Sequence, residues 1–128
     1  MALVTPAAVF GTDVHPVHGA LSLSGVHDLT PLVLASMNAD LRLDADAARA
    51  VSPALLHPAT TAPVAIAVGA DETGEFLRQS DLLWDAWPAN RPQRMAAPLR
   101  VPDRHHFNVV MDYLDADSAL TRATLALF

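Results

Sequence analysis

A chain of 128 residues with 52% apolar and 17% charged residues has the size of one domain and the composition of a packed globule, which excludes disorder and two independent domains. Its eight basic residues are all arginine, and 14 Asp and Glu leave a formal charge of −6, so there is no electrostatic footprint for nucleic acid or for an anionic membrane surface. The absence of cysteine excludes a disulfide scaffold, a cysteine-based zinc site and a cysteine nucleophile, and fits a cytoplasmic location.

The opening residues 1–10 are mildly apolar but carry no basic leader and are interrupted by Pro6, which is not the pattern of a signal peptide. No apolar run approaches the roughly 20 residues of a membrane helix, so no membrane partner is expected. Residues 17–24, bounded by Pro16 and Gly25, are short, small and apolar, and are expected to form a buried strand. Asp28 before Thr30-Pro31 offers a helix cap, with residues 32–37 expected to be helical. Asp44 and the alanine-rich residues 45–50 predict a second helix, which Ser52-Pro53 stops.

Residues 63–69 (Pro-Val-Ala-Ile-Ala-Val-Gly) give the clearest strand; apolar throughout rather than alternating, it is expected to be covered on both faces, as in a parallel sheet. An amphipathic helix is predicted over 75–87, with Phe76, Leu83, Trp84 and Trp87 on its apolar side and Pro88 ending it; both tryptophans read as sheet-covering core. Residues 94–101 predict a further strand, which Pro98 places at the sheet edge. Helices over 108–114 and 118–128 complete an α/β pattern: a three-stranded, mostly parallel sheet with flanking helices, free of repeats and interdomain linkers.

In open parallel sheets functional groups gather at the carboxyl ends of the strands. Two segments meet that condition: Gly69-Ala70-Asp71-Glu72-Thr73 after the clearest strand, and Arg104-His105-His106-Phe107 after the next. An acid loop followed by a histidine loop is the order in which α/β-hydrolases present the last two members of a Ser, Asp/Glu, His triad. There the imidazole takes the serine proton while the carboxylate fixes its tautomer and stabilises the imidazolium. An acidic residue after a strand is more often a helix cap, so it is the joint placement that carries the signal. His15-Pro16-Val17-His18 has a metal-ligand spacing, but it straddles a proline with no third ligand convergent, and no metal or cofactor is expected. Asp28 reads as a cap and Arg78 as a surface ion-pair partner.

Five spaced segments together resemble the kynurenine-formamidase and small-esterase type of α/β-hydrolase: residues 24–32 (Ser-Gly-Val-His-Asp-Leu-Thr-Pro-Leu), 41–44 (Leu-Arg-Leu-Asp), Ser52-Pro53, 68–80 (Val-Gly-Ala-Asp-Glu-Thr-Gly-Glu-Phe-Leu-Arg-Gln-Ser) and His105-His106-Phe107. The resemblance runs from about Val17 onward. It implies a partial α/β-hydrolase fold, the C-terminal part of a single domain whose nucleophile-bearing N-terminal half is absent. Anchored on Glu75-Phe76, it implies Glu72 as the catalytic acid, with Asp71 the alternative one step earlier. The family histidine directly precedes Phe, which selects His106 over His105. The departure is as informative: none of Ser22, Ser24, Ser36, Ser52, Ser80 and Ser118 has glycine at both −2 and +2, as a Gly-x-Ser-x-Gly elbow requires, and there is no His-Gly-Gly oxyanion segment. The resemblance thus implies part of a serine hydrolase for carboxylic esters or aryl formamides, taking a small-molecule substrate in the complete protein. The alternative is a non-catalytic remnant or interaction module. In either case an exposed sheet edge, left without its neighbouring strand, is expected to drive self-association.

Overall fold

The computed structural model describes residues 1–127, and they form a three-stranded parallel sheet in the order β1-β2-β3, with β1 at Ala20–Leu23, β2 at Val64–Gly69 and β3 at Leu99–Val101. The register pairs Ala20 with Val64 and Leu23 with Ala67 on one side of β2, and Ala67 with Leu99 and Gly69 with Val101 on the other. Every residue of β2 is buried, as its unbroken apolar run requires for a central strand covered on both faces.

One face of β2 presents Val64 and Ile66 to Leu83, Trp84 and Trp87 of helix α3 (Gly74–Ala86) and its C-terminal end, and these five side chains form the core cluster. Because side chains alternate along a strand, Ala65 and Ala67 point the other way; they are 0% and 1% exposed, and the further helix that packs on β2 and β3 is α4 (Ala119–Leu125), through the fully buried Leu120. The two tryptophans satisfy their polar and π surfaces locally: Trp87 Nε1 donates to the Leu56 carbonyl at 3.0 Å, and the Arg91 guanidinium lies 4.9 Å from the Trp84 ring centre.

Between β1 and β2 the chain makes a 3₁₀ turn at Thr30–Leu34, then two short helices, α1 (Asn38–Leu41) and α2 (Ala45–Ala50). The Asp44 carboxylate accepts from the Ala47 N–H at 2.8 Å and caps α2. Asp28 accepts from both the backbone N–H and the hydroxyl of Thr30, so it shapes the entry to the Pro31 turn. Arg78 pairs with Glu75 on the exposed side of α3, its Nε and Nη2 donating to the two carboxylate oxygens at 2.9 and 2.7 Å. That pairing, with Arg78 the larger influence and the Gln79 amide second, holds the Glu75 carboxyl down at about 2.

Several elements are shorter or tighter than the sequence pattern implies. β1 covers Ala20–Leu23 rather than 17–24, because Ser24 turns into the left-handed region (φ 50°) and leaves the strand. β3 is confined to Leu99–Val101 rather than 94–101: Pro98 has no N–H to give the ladder, and pairing begins only after it, at the sheet edge. Residues 32–37 are not one helix but the end of the 3₁₀ turn, whose Pro31 stands in its first positions, and the approach to α1. Val109–Leu114 is a 3₁₀ helix, and α4 spans Ala119–Leu125, where the Ser118 hydroxyl caps it by accepting from the Thr121 N–H at 3.0 Å; Phe128 lies outside the described residues. Among the described residues no helix is long and apolar enough to cross a membrane.

Candidate active site

The carboxyl ends of all three strands converge on one carboxylate. Glu72, in the loop between β2 and α3, has a side chain with no exposed surface. One of its oxygens, Oε1, accepts from the Gly69 N–H at 2.9 Å and from the hydroxyl of Ser24, the first residue beyond β1. The other, Oε2, lies 3.0 Å from Nδ1 of His106, in the loop after β3. A carboxylate can only accept, so His106 Nδ1 carries the proton and Nε2 is the ring's lone-pair nitrogen. The His106 side chain is 40% exposed, and its Nε2 has no hydrogen-bond partner among the described residues. Phe76, in the first turns of α3, stacks on the His106 ring with centroids 4.2 Å apart and planes 23° apart; Phe107 meets it edge-on at 5.4 Å.

The neighbours of these two residues point elsewhere. Asp71 is exposed and makes its contact through the backbone, its N–H donating to the Arg104 carbonyl at 3.0 Å. His105 is exposed too: its N–H donates to Asn108 Oδ1 at 2.8 Å and its Nδ1 accepts from the Phe107 N–H at 3.2 Å, closing a local turn. The histidine loop is anchored twice at Arg104, whose carbonyl accepts from the Asp71 N–H and whose Nε donates to Asp112 Oδ1 at 2.6 Å. Gly69 is required where these loops meet, since a Cβ there would stand 2.2 Å from the Arg104 carbonyl oxygen.

A second, buried network holds the loop after β1 against α3. Gln79, 2% exposed, accepts with Oε1 from the N–H groups of His27 and Asp28, both at 2.8 Å, and donates with Nε2 to the Asp28 carbonyl and to Glu75. The backbone carbonyl of Gln79 accepts a hydrogen bond from His27 Nδ1–H at 3.0 Å, leaving His27 Nε2 to accept from the Ser22 hydroxyl at 2.7 Å. Burial pushes the His27 imidazole below its ordinary value, only partly offset by the Gln79 carbonyl, so the neutral ring is favoured. Gly25 fits between them because a Cβ would be 2.5 Å from both Ser22 Oγ and His27 Nε2.

The sequence singled out Glu72, Asp71 and His106; the fold brings Glu72 and His106 together and leaves the Asp71 side chain outside. Ser24, His27 and Gln79 join the network around this pair without being marked for it by the sequence. Ser24 could have been found by the same reasoning that flagged the other two loops, since it too follows a strand at its carboxyl end. Nothing in the sequence indicates that Gln79, 52 residues beyond His27, caps its loop. Among the described residues no three His, Asp or Glu side chains group closely enough to hold a metal ion. His15 instead bonds the carbonyls of Ala2 and Thr5, and with His18 it lines an open cleft of about 790 Å³.

No family model matches the chain. Its sequence is 27% identical over 116 residues to kynurenine formamidase of Salmo salar, covering 87% of this chain and 39% of that protein. Its structure superposes on the crystal structure of a protein from Silicibacter sp. TM1040 provisionally assigned as a thioesterase, with TM-score 0.71 and 34% identity over 82% of this chain and 38% of the other. The chain resembles the kynurenine-formamidase type of α/β-hydrolase. Its parallel sheet with flanking helices is part of that α/β fold, and it spans about two fifths of the length of each of these proteins.

Proposed function

We propose that this chain supplies the acid and the histidine of a serine hydrolase acting on carboxylic esters or aryl formamides, with Glu72 orienting His106. The observation that carries the reading is the Glu72 Oε2 to His106 Nδ1 contact of 3.0 Å at the carboxyl edge of the sheet, which leaves Nε2 unpartnered among the described residues on a partly exposed ring. Likeness to a formamidase and to a protein assigned as a thioesterase supports acyl transfer from a carbonyl carbon as the reaction class.

In this reading His106 Nε2 takes the hydroxyl proton of a serine as its oxygen bonds to the substrate carbonyl carbon. The imidazolium, paired with Glu72 and stacked on Phe76, then passes that proton to the departing alcohol or amine, and an acyl-enzyme remains. Water repeats the sequence, with His106 as base and then as acid, and releases the carboxylate. Five of the six serine hydroxyls of this chain serve other partners: Ser22 bonds His27, Ser24 bonds Glu72, Ser52 bonds the Ala48 carbonyl, Ser80 the Phe76 carbonyl, and Ser118 caps α4, while Ser36, with Leu34 at −2 and Asn38 at +2, lacks the glycines of an elbow as the others do. The nucleophile is therefore assigned to a Gly-x-Ser-x-Gly segment outside these 128 residues. The same observation favours, as a second reading, a chain that by itself is a non-catalytic module of the fold.

The test is hydrolysis of p-nitrophenyl acetate and N-formylkynurenine. The chain alone is expected to show no turnover above a heat-treated control. In a full-length polypeptide joining it to an elbow-bearing segment, His106→Ala and Glu72→Ala are each expected to lower turnover on the order of 10⁴-fold or more, whereas His105→Ala and Asp71→Ala retain most of it. Equal losses at His105 and His106 would overturn the assignment.

A further inference from the structure

We propose that Ser24 is a positioning residue for the Glu72–His106 pair, an inference that rests on the pairing described above. A glutamate at the end of a flexible side chain has a broad terminal torsion, so presenting one oxygen to a histidine requires that the other be held. Oε1 is held from two directions: the Gly69 N–H fixes it to the end of β2, and the Ser24 hydroxyl fixes it to the end of β1. With Oε1 occupied by two donors, Oε2 is the atom left for His106. All three groups lie in a region with almost no solvent to substitute for a lost donor, Ser24 being 8% exposed and the Glu72 side chain 0%.

The backbone at Ser24 supports a role for the hydroxyl itself. Its φ of 50° lies in the left-handed region, which glycine adopts freely and other residues seldom occupy. Glycine at position 24 would relieve the backbone; serine there adds a hydroxyl group, and that hydroxyl goes to Glu72. The surroundings keep this conformation in place. The Ser24 N–H donates to the Ala67 carbonyl at 2.8 Å as the last rung of the ladder, and Gln79 clamps the following residues His27 and Asp28 onto α3. Among the described residues the Ser24 hydroxyl makes no hydrogen bond to His106; it acts through the Glu72 carboxylate.

The readout is the tautomer of neutral His106, obtained from long-range ¹H–¹⁵N NMR correlations on the whole ¹⁵N-labelled chain at mildly alkaline pH, which does not depend on turnover. The unsubstituted protein is expected to show His106 in the Nδ1–H form. Ser24→Ala and Ser24→Gly are both expected to shift the ring to a mixture in which the Nε2–H form is prominent, while the amide shifts of β2 stay in place. Ser24→Gly suits the φ of 50°, so it keeps the question answerable where Ser24→Ala folds poorly. Retention of the Nδ1–H form in Ser24→Gly overturns the role of Ser24 and leaves the Glu72–His106 pair standing. Loss of the folded amide spectrum in both variants also overturns it, because Ser24 would then hold the fold rather than aim the carboxylate. An unsubstituted protein without the Nδ1–H preference removes the pair itself, and with it this inference; failure of the hydrolysis assay alone touches only the proposed reaction.

Discussion

Replacing Gly69 with alanine tests whether the two loops of the candidate site are held at a fixed separation. Gly69 ends β2, and its φ lies outside the left-handed region, so an alanine could adopt its backbone without strain. The obstacle is contact: the added Cβ would lie 2.2 Å from the Arg104 carbonyl oxygen and 2.7 Å from its carbon, where ordinary contact begins at 3.4 Å. Arg104 cannot swing away as a side chain would, because the clash is with its backbone. The histidine loop must retreat by about an ångström, loosening the Asp71 N–H bond to the same carbonyl, now 3.0 Å long. Overpacking costs about 1–3 kcal/mol and the weakened hydrogen bond about 0.5–1.5 kcal/mol, while the stiffer unfolded chain returns about 0.4–1 kcal/mol. A net loss of roughly 1–3 kcal/mol is expected, which for a chain of this length lowers Tm by roughly 4 to 11 °C. Gly74→Ala is the control, since its Cβ would meet nothing within 4 Å and it stands at the start of α3; a change within about 0.5 kcal/mol is expected there. Thermal and urea unfolding of the two variants, with the His106 tautomer read in each, make the comparison. Gly69→Ala as stable as Gly74→Ala, with His106 Nδ1 still protonated, would refute the claim that a rigid contact sets the loop spacing.

Three further outcomes follow from the packing. The folded state depresses the His27 value, so below the ordinary 6.5 the unfolded chain takes up a proton that the native ring resists; stability that is fully present above that pH is lost as pH falls through it, and His27→Phe should flatten this part of the urea-midpoint profile, an unchanged slope counting against the assignment. Leu120→Ala, at a fully buried position on α4, should cost about 2–5 kcal/mol by urea unfolding, and a loss under about 1 kcal/mol would show that α4 does not cover β2. Because Ala20 and Ser24 spend their N–H groups on β2, the alternating N–H groups of Leu21 and Leu23 face the open edge; concentration-dependent association is expected by size-exclusion chromatography with light scattering, and a monomer stable at every dilution would contradict it.

How much of this was legible without coordinates differs by element. The run Val64–Gly69 announces a central strand because only a strand covered on both faces tolerates six consecutive apolar or glycine residues, and α3 is readable because its apolar positions recur at helical spacing before Pro88. Glu72, Asp71, His105 and His106 are visible as chemistry at strand ends; local pattern does not rank adjacent residues of like type, and the preference for Glu72 over Asp71 and His106 over His105 rests on the family resemblance alone. Tertiary structure separates them: Glu72 turns inward onto Gly69 and Ser24 while Asp71 remains exposed, and His106 stacks on Phe76 while His105 closes its own turn. Where β1 ends was decided in three dimensions too, by the left-handed turn at Ser24, whereas β3 starts only after Pro98, a limit the sequence itself carries. The contacts of Ser24 with Glu72 and of Gln79 with His27 join residues 48 and 52 positions apart. Sequence periodicity reports which side of an element is buried, and says nothing about which distant residue it is buried against.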